Sequence, residues 1–266
     1  DPGTCYITVD FHEVGNRDPY AYKTKDYGKS WKFISSDIPK SVSSYTRCIR
    51  EDPVRQGLLY LGTENALYVS FNDGSSWLPL QTNLPHAPVH GLVVQENFND
   101  LVVGTHGRGF WILDDITPLQ KLTPEVLESD VYLFPPRSAY RFHTIQAPEV
   151  QRGDPSAGEN PPYGASINYY LKADETAQVK ISILDEKGQT IKTLNGSKNR
   201  GINRVWWNLR HESSKAPRLR TSPLYAPWIE VGSRGWRSLQ RGQMTILAPP
   251  GHYTVRLSVG EKEYSQ

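Results

Sequence analysis

The residues with most chemical potential in this chain lie in Gly104 to Trp111, G-T-H-G-R-G-F-W. Three glycines beside His106 and Arg108 let backbone and side chains approach a ligand closely, and an arginine offers a planar fork for a carboxylate or a sugar acid. The same glycines also suit tight inner strands, with Arg108 paired to an acidic neighbour. A second polar group is His12, Glu13, Arg17 and Asp18, a third is Glu64 with Asn65, and His86 and His90 stand nearby in sequence to both of the later groups. Glu13, Glu64 and Asp18 offer carboxylates for glycoside hydrolysis, which needs a pair about 5 to 9.5 Å apart with one pKa raised. The seven histidines have no metal-ligand spacing, and no G-x-S-x-G elbow or phosphate loop occurs. Neither a metal nor a cofactor is expected.

These groups sit between segments that repeat. Thr24 to Trp31 reads T-K-D-Y-G-K-S-W and Ser70 to Trp77 reads S-F-N-D-G-S-S-W; Asp26 to Asn72 and Trp31 to Trp77 are each 46 residues. A period of that size, carrying turn residues and a terminal Trp, predicts a repeated four-stranded unit of the kind that stacks radially as propeller blades. The Asx side chain can bond backbone amides ahead of it, Gly supplies a positive φ, and Trp buries a large apolar surface as the next strand begins. Alternating, β-branched runs flank both turns: C-Y-I-T-V-D-F and Y-A-Y-K-T in the first unit, Y-T-R-C-I-R-E, L-L-Y-L-G-T-E and A-L-Y-V-S in the second. A third unit, V-H-G-L-V-V-Q, D-L-V-V-G-T-H-G and F-W-I-L-D-D, ends with Asp115 where Asn72 stood, but Thr117 replaces the Gly and Pro118 follows, so no fourth strand is expected. If the turns lie at one end of each unit, strand alternation puts the polar groups on a common rim at the other end.

The two turns resemble the Asp-box, or BNR repeat, of sialidase-like and sortilin-like propellers. That resemblance implies structural roles for Thr24, Asp26, Gly28, Ser30 and Trp31 and for Ser70, Asn72, Gly74, Ser76 and Trp77, because the box closes the turn between third and fourth strands. G-T-H-G-R-G-F-W-I-L-D-D is similar to the exit from such propellers in bacterial proteins, implying an exported, multi-blade protein. A sialidase of this family would bring a Tyr nucleophile and three arginines to the substrate carboxylate, and this rim supplies Arg17 and Arg108. The first expectation is therefore a non-catalytic binding or scaffold module for a glycan or peptide, with His106, Arg108, Glu64, His12, Glu13 and Arg17 as ligand-binding candidates. The second is part of a sialidase-like glycoside hydrolase whose other catalytic residues lie upstream. About two and a half blades are present, fewer than the four or more that close a ring. The partners expected are upstream blades, from the parent protein or another chain.

Composition agrees with an all-β chain: 7 Trp, 15 Tyr, one Met, 21 Gly and 20 Pro in 266 residues. A net charge of +2 with scattered basic residues gives no support for nucleic acid binding, and no apolar run is long enough to span a membrane. The start Asp-Pro-Gly, without an initiator Met, reads as a fragment or processed product. Cys5 and Cys48 lie in apolar runs and read as core thiols, with a bridge as the other option. The expected organisation is C-terminal propeller blades over 1–122, a linker over 123–164 with Pro and Gly concentrated from Gln146 to Tyr163, and a second β-domain over 165–266. In that last part I-S-I-L-D-E-K-G-Q-T-I-K-T-L, V-W-W-N and P-P-G-H-Y-T-V-R-L resemble the immunoglobulin-like sandwich of the flagellar hook-cap protein's C-terminal domain. A basic, Trp-containing insertion is expected at about 210–243.

Overall fold

A computed structural model describes residues 1–142, 158–238 and 243–266. The chain is all-β and divides into two compact units, Asp1–Leu122 and Thr123–Gln266. In the first unit β1 (Cys5–Val9), β2 (Tyr20–Thr24) and β3 (Lys32–Phe33) form one antiparallel sheet in that order. The second sheet is β4 (Thr46–Glu51), β5 (Leu59–Thr63), β6 (Leu67–Ser70) and β7 (Leu78–Pro79), again in sequence order. The third joins β8 (Val89–Gln95), β9 (Asp100–Thr105) and β10 (Phe110–Leu113). Short helix α1 (Thr117–Lys121) follows, with Pro118 in its first turn, where a fourth strand would otherwise run.

The two repeated turns adopt the same bonded geometry. In the first, Thr24 Oγ1 accepts from the Gly28 amide (2.9 Å) and Asp26 Oδ1 accepts from the Ser30 amide (2.9 Å). In the second, Ser70 Oγ accepts from Gly74 (2.9 Å) and Asn72 Oδ1 from Ser76 (2.8 Å). Each turn needs two successive left-handed residues, Tyr27 and Gly28 (φ 59° and 83°) or Asp73 and Gly74 (φ 63° and 79°). Gly74 is required a second time, because a Cβ there would lie 2.9 Å from Ile34 Cβ. In the third unit the turn differs: Asp115 itself takes a positive φ of 52°, unlike Asp26 and Asn72, and its carboxylate accepts from the amide and hydroxyl of Thr117, two residues on rather than four.

Neighbouring sheets share apolar cores. Ala21, Ile34, Ile38, Ile49, Leu59, Leu61 and Trp77 pack between the first and second, while Tyr60, Val69, Leu92, Leu101 and Val103 belong to the core between the second and third. Trp77 is 6% exposed, and its indole N–H donates to the Ile34 carbonyl (2.6 Å) while its amide donates to the Asp37 carboxylate (2.8 Å). Trp31, its counterpart 46 residues earlier, is 42% exposed. The expectation that both cysteines are core thiols is corrected for Cys5, which is exposed on an edge strand; Cys48 is partly buried, its thiol is pushed up to about 11 by that burial, and both are free.

The second unit is an antiparallel sandwich. One sheet orders β11 (Val131–Leu133), β12 (Ala165–Leu171) and then a strand at Gly201–Trp207, while β13 (Val179–Leu184) and β14 (Thr190–Asn195) begin the other. Numbering Gly201–Trp207 as β15, the insertion contributes β16 (Arg218–Leu219) and β17 (Arg237–Ser238), a two-stranded ribbon. β18 (Thr254–Val259) and β19 (Lys262–Ser265) then complete the second sheet in the order β14-β13-β18-β19. The two sheets enclose Ile167, Tyr169, Leu171, Ile181, Ile183 and Leu257 in one core. Within 123–164, read as linker, the chain forms helix α2 (Pro124–Glu128), capped by Thr123 Oγ1, and strand β11, whose Val131 and Leu133 enter that core. Alternation over only three residues is too short a pattern to separate such a strand from an extended linker. Most of Gln146 to Tyr163, also read as linker, lies outside the described residues.

Two outcomes follow from the paired turns. Trp77→Ala should cost about 3–5 kcal/mol in urea unfolding of the first unit, and Trp31→Ala less than about half of that; equal losses would mean that the two rings are seated alike. Asp26 titrates at about 2, below the ordinary 3.8, because the Ser30 hydroxyl, the Ser30 amide and the Thr24 hydroxyl donate to its ionised form. A depressed carboxyl stabilises above its unfolded pKa, so the first turn should hold above about pH 3.8 and loosen as pH falls toward 2. The Ser30 amide resonance should therefore shift over that window while that of Ser76, bonded to the non-titrating Asn72, stays in place.

Candidate functional site

Strand direction brings the polar loops of all three sheets to the end opposite the capped turns. Val9 pairs with Tyr20 at that end, Thr46 with Thr63, and Val89 with Thr105, whereas Cys5–Thr24 and Leu59–Ser70 pairs lie at the turn end. After β1 the chain makes a 3-10 turn at His12–Val14 that ends at left-handed Gly15. After β9 it reverses through Gly107 and Gly109 (φ 82° and 71°), with Thr105 Oγ1 donating to the Gly109 carbonyl (2.6 Å). The His106 amide donates to the Pro88 carbonyl (2.9 Å), anchoring this reversal beside the start of β8.

Arg47, from β4, is the hub of the rim. Its Nε donates to Glu64 Oε2 (2.7 Å) and Nη1 to Asp10 Oδ2 (3.0 Å), and its guanidinium lies 4.8 Å from the Tyr45 ring centre. His12 stacks on the same Tyr45 at 4.7 Å and 13°, with Nδ1 2.7 Å from Asp10 Oδ1. With its proton on Nδ1, His12 donates to Asp10 and presents Nε2 as an acceptor. On the other side His90 Nε2 is 3.9 Å from Glu64 Oε2, and the His90 and His106 rings stack at 5.4 Å and 10°. The result is a track, His12–Tyr45–Arg47–Glu64–His90–His106, drawn from three sheets.

Electrostatics in the track follow from Arg47. Partial burial alone would raise the Asp10 carboxyl, but the amide and ring of His12, then the charges of His12 and Arg47, hold it below the usual carboxylate range. Burial opposes the charge on Arg47, and the bond and charge of Glu64 outweigh it, so the guanidinium is raised. Tyr45 is raised by burial and then by Glu64. A glycosidase acid needs a carboxyl pushed up, and Asp10 is pushed the other way.

Of the residues singled out by sequence, Glu64, His12, His90 and His106 join this track. Arg108 is exposed on the Gly107–Gly109 reversal, where its carbonyl accepts from the Trp111 indole (3.0 Å). Glu13 is exposed within the 3-10 turn. Arg17 donates to the Val42 carbonyl (3.1 Å), Asp18 pairs with Lys40, and His86 Nδ1 is 3.2 Å from the Asn65 carbonyl. Asp10, Tyr45 and Arg47 escape a sequence reading because they sit in or beside strands. Arg47 is one of two arginines in Y-T-R-C-I-R-E, with Arg50, and nothing local separates them. Among the described residues no group of three or more His, Cys, Asp and Glu could hold a metal ion, and no helix is long and apolar enough to cross a membrane.

The second unit carries a cleft of about 580 Å³ walled by Pro135, Trp207, Pro249 and Tyr253 among others. Two of its polar groups serve the fold: the Tyr253 hydroxyl donates to the Pro249 carbonyl (2.6 Å) and Arg141 to that of Ala248 (3.3 Å).

No family model matches the chain and no curated protein matches it. Among solved structures, the extracellular domain of the candidate one component system BT4673 from B. thetaiotaomicron aligns over 99% of this chain and 35% of that one, at 10% identity and a TM-score of 0.22. The chain thus spans about a third of that protein's length, and so low a score carries no argument about fold or activity. The Asp-box likeness therefore rests on the two turns themselves.

Removal of the hub leaves two carboxylates facing each other across a partly dry site. Arg47→Ala should lower stability by about 1–3 kcal/mol, and Arg47→Lys should recover only part of it, since an ammonium cannot bridge Asp10 and Glu64 as a guanidinium does. Full recovery by Lys in urea unfolding would reduce the hub to a point charge.

Proposed function

We propose that the chain is the C-terminal part of an exported, multi-sheet propeller whose rim is a non-catalytic recognition surface for an acidic glycan or peptide. The observation that supports this most is the way Arg47 engages both Asp10 and Glu64. The carboxylates are held by a cation, while His90, His106 and Arg108 are exposed beside them, Arg108 with the donors of its guanidinium. Such a surface binds anions with directional, charge-assisted bonds, and Asp10 and Glu64, both bonded to Arg47, do not supply the unpaired acid that hydrolysis requires. Further sheets belong to this reading on physical grounds. Ile7, Tyr22 and Phe33 form one cross-strand row on the outer face of the first sheet, with Ile7 and Phe33 exposed. The equivalent row of the second sheet, Leu61, Tyr68 and Pro79, has Leu61 and Tyr68 packed in the core shared with the first sheet. A preceding sheet would cover the outer row in the same way. Export of a bacterial kind is what the likeness of G-T-H-G-R-G-F-W-I-L-D-D to bacterial propeller exits implies.

A glycoside hydrolase remains the second reading, because exposed Glu13 is free of Arg47 and could act with groups from other sheets. An array of acidic and neutral glycans and acidic peptides, followed by calorimetry on the best binder, separates the two. Arg108→Ala should weaken an acidic ligand by about 1.5–3 kcal/mol, and unchanged affinity would remove Arg108 from the site. Turnover of a fluorogenic glycoside that disappears in Glu13→Gln would favour the enzyme.

A further inference from the structure

At the end of the first unit remote from the rim, a cleft of about 400 Å³ lies between the two capped turns, and its lining includes Lys23, Lys25, Lys32, Trp31, Asp73 and Ser75. Three lysines and one aspartate line it. Asp73 Oδ2 pairs with Lys23 and lies 3.5 Å from Lys25 Nζ, and its Oδ1 accepts from the Tyr6 hydroxyl (2.7 Å). Glu51 faces the same group from β4, but through Tyr6, whose hydroxyl also lies 3.3 Å from Glu51 Oε1. Lys32 makes no ion pair among the described residues. Lys23 is directly opposite Lys32 across the β2–β3 ladder, a like-charge pair on one face that costs stability unless something offsets it.

The internal repeat shows that the fold does not ask for these lysines. Adding the 46-residue period places Lys23 on Val69, Lys25 on Phe71 and Lys32 on Leu78. Val69 and Leu78 form the same cross-strand pair in the second sheet, and Val69 is buried in its core. Tyr6 and its counterpart Tyr60 both persist, each with its hydroxyl near a carboxylate. Three positions that are apolar in the second unit are therefore cationic in the first, around a single cleft, on the same strand pairing. Lys23 is only 6% exposed, and burial followed by the nearby Lys25 lowers its pKa against the pull of Asp73.

We propose that this cleft is an oxyanion-binding site, in which a carboxylate, sulfate or phosphate group sits among Lys23, Lys25 and Lys32 with the Ser75 hydroxyl as a further donor. The shared chemistry is the oxyanion, carried by an acidic saccharide or free in solution. The cleft is separate from the rim and does not rest on the reading of it. Calorimetry at fixed ionic strength with three probes tests it: inorganic sulfate, trigalacturonate and a chondroitin sulfate tetrasaccharide. Binding of either saccharide without sulfate assigns a saccharide-borne group, and binding of sulfate alone assigns a free anion; both support the site. The double variant Lys25→Gln/Lys32→Leu should bind at least tenfold more weakly with its melting temperature kept or raised, and Lys23 is left in place because it is buried against Asp73. Arg108→Ala should leave binding here untouched, so loss of the rim reading and loss of this one are distinguishable. No binding by any probe, or an unchanged dissociation constant in the double variant, overturns the proposal.

Discussion

The seating of Trp77 on the preceding sheet is the contact on which the first unit depends. One side chain buries a large ring against Ile34, donates its indole N–H to the Ile34 carbonyl, and is held by its own amide on the Asp37 carboxylate. Apolar burial supplies most of the attraction and the two hydrogen bonds fix its direction. The capped turn beside it makes the close approach possible, since Gly74 leaves no room for a Cβ against Ile34. Sheet spacing and rotation are set at this end of the molecule.

That spacing has its consequence at the far end. Asp10 leaves the first sheet, Arg47 and Glu64 belong to the second, and His90 and His106 to the third, yet they meet within hydrogen-bonding or stacking distance. Each sheet brings only one or two of these groups, so the site exists only where three sheets converge. Arg47 then decides its character: by engaging two carboxylates it leaves imidazoles and the exposed Arg108 as the groups a ligand would meet. Acids already engaged by a cation are the feature on which the proposed recognition role rests. The turn end has the opposite balance, with lysines in excess over Asp73.

Much of the strand framework was legible because its causes are local. Period-two alternation marked nearly every strand of the three sheets, and the paired T-x-D-x-G-x-S-W and S-x-N-x-G-x-S-W turns announced their own hydrogen bonds. Pro118 and Thr117 similarly announced the loss of a fourth strand in the third unit. Cys5 was misleading because an apolar run shows that a strand has an apolar face and not whether a neighbour covers it. β11 was too short to carry a pattern, and its identity as a strand depends on pairing with β12 more than thirty residues later.

The sequence by itself determined the all-β class, the 46-residue repeat and the conformation of its turns, because propensity, alternation and side-chain-to-backbone bonds act over a few residues. It also placed His12, Glu64 and His106 on one rim, since strand direction alternates. Only the tertiary structure decided that Arg47 would bind Asp10 and Glu64, that Trp77 would be buried while Trp31 is open, and that Lys23 and Lys25 would meet Asp73. Those outcomes depend on which sheet lies against which and at what spacing, and on charges brought together from distant parts of the chain. No local pattern encodes such distances.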